Sequence, residues 1–92
     1  MTYEEMVKEA KDLFEKLFSS IGEDFRLEAD LSILPREILE KAADEALSQA
    51  KYHAKSLIFF APMAPDVLDS ARNAFKAAIV YFKLVEELDR RG

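Results

Sequence analysis

The chain has 92 residues, 50% of them hydrophobic and 34% charged, with a net charge of −5 and no cysteine. That length holds one domain rather than two, and the missing cysteines exclude both a disulfide framework and a thiolate metal site. The acidic balance argues against general nucleic-acid binding, and the longest uncharged run, Ser56 to Pro65, falls well below the roughly 20 residues of a membrane span.

The opening, "MTYEEMVKEA", is acidic and amphipathic, unlike a signal peptide, so a cytoplasmic location is expected. Tyr3, Met6, Val7, Ala10, Leu13, Phe14, Leu17, Phe18 and Ile21 recur at three- and four-residue spacing and predict a first helix. Thr2 and Glu5 stand at capping-box spacing, and Gly22 sits where a left-handed cap would end the helix.

Residues 23–34 read two ways. Phe25, Leu27, Ala29, Leu31 and Ile33 alternate with polar residues, the period of an extended strand. Leu27, Leu31 and Leu34 would equally share one face of a helix. The alternation favours an extended or strand-like linker, whose pairing partner would be the same segment of a second subunit.

Pro35 then opens a second helix, whose apolar stripe runs without interruption from Ile38 to Phe60 and is rich in alanine, so a neighbour can come close. Pro62 and Pro65 end it. A third helix follows, with Asp66 and Asp69 in its first turn and a stripe of Val67, Leu68, Ala71, Ala74, Phe75, Ala78, Phe82, Val85 and Leu88. Ala77, Ile79, Val80, Tyr81 and Leu84 widen that stripe until the stretch 77–82 is apolar all round.

Helices two and three, joined by a short turn, form an antiparallel hairpin. The 12-residue linker is long enough to run back along the bundle, which lets helix one lie parallel to helix two. The expected fold is a single all-α domain: a bundle of three main helices, with room for a short extended or fourth element in the linker.

Two surface features stand out. The turn "LIFFAPMAPD" is apolar, with Phe59, Phe60 and Met63 at the tip. No acid lies between Ala46 and Pro65 or between Ser70 and Val85, so Lys51, Lys55, Arg72 and Lys76 are expected to form a basic collar beneath that tip. Such a collar suits an acidic or anionic surface; its plainer reading is neutralisation by the acidic linker residues Glu23, Asp24, Glu28 and Asp30, or by a second subunit.

Catalytic chemistry finds little to work with. His53 is the lone histidine, and Ala50 stands where a ferritin-like metal site needs Glu three residues before it. None of the seven Ser and Thr residues sits in a recognisable nucleophile setting, and two glycines cannot build a phosphate-cradling loop. No catalytic, metal or cofactor-binding residue is expected, and the chain does not read as an enzyme.

The segment "ADLSILPREILEKAADEA" resembles the opening of ribbon–helix–helix repressors, with a short alternating strand, Leu-Pro, then a helix. The resemblance covers about eighteen residues and implies a strand paired across a dimer that reads the DNA major groove. The chain departs from that pattern because its helix continues through position 50, and its outward linker residues Arg26, Glu28, Asp30 and Ser32 are mostly acidic or neutral.

These features point to a non-catalytic interaction or self-association module, with Phe59, Phe60, Met63, Ile79, Val80 and Tyr81 as its candidate interface and a homodimer as its expected state. An acidic protein is a further candidate partner. A nucleic-acid-associated or regulatory dimer using the collar is the alternative. Few amides and abundant charge also fit a thermophile's protein or a designed bundle without function.

Overall fold

The computed structural model describes residues 2–60 and 67–92, with Phe60 described by its backbone alone. Three helices follow in order: α1 (Tyr3–Ser20), α2 (Arg36–Phe60) and α3 (Val67–Arg91). The all-helical bundle read from the periodicity is the fold observed.

Helix α1 begins where the cap places it. Thr2 is extended, and its hydroxyl accepts the Glu5 N–H at 3.1 Å, satisfying one of the free donors of the first turn. Its C-terminus differs from the expected left-handed cap at Gly22. Ile21 leaves the helix in an extended conformation (φ −79°, ψ 119°) and donates its N–H to the Phe18 carbonyl. Extension is needed because Ile21 is itself a core residue, only 3% exposed, and a tighter turn would lift it out.

Among the described residues there is no strand, and the linker of the single chain is irregular rather than strand-like. Its alternation is only half used. Leu27 and Leu31 are buried, while Ala29 and Ile33 point to solvent and Phe25 lies at the surface. Asp24 and Asp30 accept backbone N–H groups from Arg26 and Ser32, so the chain satisfies itself locally instead of through a ladder. Arg91 clamps the far end: its guanidinium donates to the carbonyls of Leu31 (2.9 Å) and Ser32 (3.0 Å) while Glu87 holds its Nε at 2.9 Å.

Pro35 lies just before α2, its carbonyl accepting the Leu39 N–H. The Tyr3 ring lies beneath the Lys41 ammonium, 5.2 Å from ring centroid to Nζ, and Val7, Ala10 and Lys11 face Lys41, Asp44, Glu45 and Ser48. At the other end of α1, Phe18 carries Lys76 of α3 at 5.8 Å over its ring. Helix α1 therefore runs parallel to α2 and antiparallel to α3, and the linker returns along the bundle as its length permits.

The core joins Ala10, Phe14 and Leu17 of α1, Ile21, Leu27 and Leu31 of the linker, Leu39, Ala42, Ala43 and Ala46 of α2, and Ala77, Val80 and Leu84 of α3. The small residues of α2 admit α3 closely, and α3 meets them with Ala77 and Val80. The face of α3 turned inward is thus the one the sequence offers as a widening of the stripe. The leading stripe itself, with Leu68, Phe75 and Phe82, is left outside at 70%, 65% and 67% exposure. Close packing explains the inversion, since three bulky side chains could not enter an alanine-lined interface without forcing the helices apart.

Candidate interaction surface

The core ends before the hairpin does. Among the described residues, none from Leu47 to Phe59 and none from Val67 to Lys76 is buried. Over that distal half no described residue of either helix is enclosed, because α1 has 18 residues against the 25 of its neighbours.

One side of the hairpin is covered by α1 and the linker. The opposite side is open. On α3 it presents Leu68, Ala71, Phe75, Ala78, Phe82 and Val85, a seam of alternating three- and four-residue steps that keeps to one side of a helix. On α2 it presents Leu47, Ala54 and Ile58, with Ile58 strongly exposed. Between the helices runs a shallow groove of about 230 Å³ lined, among the described residues, by Leu57, Ala71, Ala74, Phe75 and Ala78.

Phe25 closes one edge of this surface. Its ring meets Phe75 edge-on at 6.1 Å between centroids, and its backbone is left-handed, with φ 56°. A bulky side chain in that region costs about 1–2 kcal/mol. The fold retains the conformation where it brings an aromatic ring from the linker against the open seam.

The candidate interface read from the sequence is only partly on this surface. Val80 is fully buried in the core, and Ile79 and Tyr81 are half-buried and packed against it, so these three belong to the fold of the single chain. Phe59 is 68% exposed, but it lies roughly 200° around α2 from the inward Leu39–Ala46–Leu57 stripe, away from the seam. Phe60 has only its backbone described, and Met63 falls outside the described residues together with Pro62, Pro65 and Asp66. The exposed rings outside that candidate set are Phe75 and Phe82. Their signal was available in the heptad spacing, which separates them from the 77–80–84 face.

The four collar residues do not form one ring. Lys51 and Lys55 are exposed and lie roughly 120° and 160° around α2 from its inward stripe, on the flank of the open side. Arg72 and Lys76 share a flank of α3 on the side of α1, where Lys76 rests on Phe18.

His53 is half-buried and meets the Tyr52 ring edge-on at 5.3 Å. Partial burial holds its imidazole below the ordinary value of 6.5, favouring the neutral form. No group of three or more His, Cys, Asp or Glu among the described residues is placed to hold a metal ion. Likewise, no described helix is long and apolar enough to cross a membrane.

Comparison with family models, curated proteins and solved structures finds no match to this chain.

Proposed function

We propose that this protein is a non-catalytic protein–protein interaction module whose docking surface is the open side of the α2–α3 hairpin. The observation that carries this reading is the exposure of Phe75 and Phe82 on one seam of α3 that runs from the core-bearing half of the hairpin into the half where no described residue is buried. Apolar patches larger than a few hundred Å² are uncommon on monomers and mark sites of association. The seam is helical, regular and free of charge along its centre, so its complement is another helix with apolar residues at matching spacing.

The test is a Phe75→Ser, Phe82→Ser double variant. If the surface docks a partner, the variant keeps its helicity and loses no more than about 1–2 kcal/mol per phenylalanine in dilute solution, while any association of the wild-type chain measured by light scattering is lost. If the two rings belong to a core, the variant loses about 3–5 kcal/mol for each phenylalanine, and the reading fails.

A further inference from the structure

Resting on that reading, we propose that the occupant of the open side is a second copy of this chain, seated by antiparallel pairing of α3 with α3 about a twofold axis between Lys76 and Ala77. The seam alternates large and small residues in a pattern that complements itself in antiparallel pairing, and this register is the one that pairs all six of its residues. Antiparallel pairing about that point sets Phe75 against Ala78 of the second copy, Ala71 against Phe82, and Leu68 against Val85. Each bulky side chain faces a smaller one, as knobs-into-holes packing requires. In parallel pairing the three large residues would stack on one another and the two alanines would face across a gap.

The groove fits the same arrangement. Ala71, Ala74, Ala78 and Leu57 form its walls, at the level where the second copy's Phe75 arrives. Helix α2 agrees independently. Leu57 packs beside Ala71 and Ala74, so the midpoint between Lys76 and Ala77 lies level with α2 near His53. The exposed apolar residues Leu47 and Ile58 straddle that level, with Ala54 close to it, so the same axis brings Leu47 of one copy near Ile58 of the other. The product is a four-helix arrangement of two layers, α3 on α3 and α2 facing α2, with one α1 on each outer face.

Charge and area are consistent with it. Arg72 and Glu86 flank the seam on the same side, both exposed. The axis sets Arg72 of one copy within about 7 Å, along the helix direction, of Glu86 of the other, twice per dimer. Two 25-residue helices side by side offer a face about 37 Å long and 20 Å wide, or about 700 Å². A standard stable interface takes about 800 Å² per partner. The cost falls on the outer flank of α2, where Lys51 comes near Lys55 of the second copy.

The chain has no cysteine, so single spin labels can be placed at Arg72→Cys and, separately, at Glu86→Cys. In the proposed dimer the paired labels are offset along the axis by about 14 Å at position 72 and about 28 Å at position 86. A parallel dimer would place both pairs equally close. Charge exchange gives a second measurement. Glu86→Arg should weaken dimerisation about tenfold, and the Arg72→Glu, Glu86→Arg double variant should recover it. Equal short distances at both positions, no recovery in the double variant, or a chain that stays monomeric at millimolar concentration each overturn the pairing. Those results leave the interaction-module reading standing as long as replacing Phe75 and Phe82 does not bring the large loss of stability of a core truncation in dilute solution.

Discussion

Phe82 and Leu84 lie two residues apart on α3, and the structure gives them opposite roles. The Phe82 ring is 67% exposed, whereas Leu84 is fully buried. A phenylalanine side chain buries roughly 150–250 Å² when enclosed, so Phe82 has about 50–80 Å² of buried surface to lose on truncation. At about 25 cal/mol per Å², Phe82→Ala forfeits about 1–2 kcal/mol. The higher helix propensity of alanine returns about 0.5 kcal/mol of that. Leu84→Ala removes a fully enclosed side chain and leaves a cavity, which costs about 2–5 kcal/mol. Urea unfolding followed by far-UV circular dichroism in dilute solution should therefore rank Leu84→Ala as the less stable variant by about 2 kcal/mol, a midpoint difference of about 1–2 M. At high protein concentration the ranking changes in kind, because Phe82→Ala alone abolishes association. Equal destabilisation by the two substitutions in dilute solution would mean that the seam is enclosed within the single chain, and the argument for an open side would fall.

Three further outcomes follow from the geometry. Phe25→Gly relieves the left-handed backbone while losing the Phe75 contact, so its stability should stay within about 1 kcal/mol of wild type. Phe25→Val keeps the strain and loses the ring, and should be about 1 kcal/mol or more less stable than the glycine variant. Arg91→Lys cannot reproduce the two bonds to the Leu31 and Ser32 carbonyls together with the Glu87 pair, so amide exchange across 27–34 should accelerate while the α2–α3 amides stay protected. The folded-state pKa of His53 is depressed, so its contribution is present in full above 6.5 and is lost as the pH falls through the folded value. Thermal unfolding should show a small loss of stability on acidification from pH 7 that His53→Gln removes. Glu87 and Asp30 are also held low, Glu87 by hydrogen bonds from Arg90 and Arg91 and Asp30 by those from Ser32. Their contributions disappear only at more acidic pH, below the ordinary carboxylate range.

Three helices, their near-final boundaries, the hairpin and the parallel return of α1 were legible in the sequence. Apolar spacing at the helical period, a Thr2 cap and prolines at 35, 62 and 65 are local signals that need no neighbour to be read. The linker was less legible, since alternation states which residues are apolar but not whether a second strand exists to pair with. Within the described chain the segment forms no strand: Leu27 and Leu31 plug the bundle while Arg91, sixty residues beyond Leu31, holds the backbone in place.

The orientation of α3 was decided by the tertiary structure. A helix apolar over so wide an arc presents two candidate faces, and the choice depends on what stands opposite. Helix α2 offers alanines, so α3 turns Ala77, Val80 and Leu84 inward, where the backbones can approach, and leaves Phe75 and Phe82 outside. The same packing splits the expected basic collar, because residues level along two antiparallel helices converge only if they also share a side. By itself the sequence determined how much apolar surface this chain carries. The close contact between α2 and α3 determined which part of that surface the fold consumes and which part it leaves exposed.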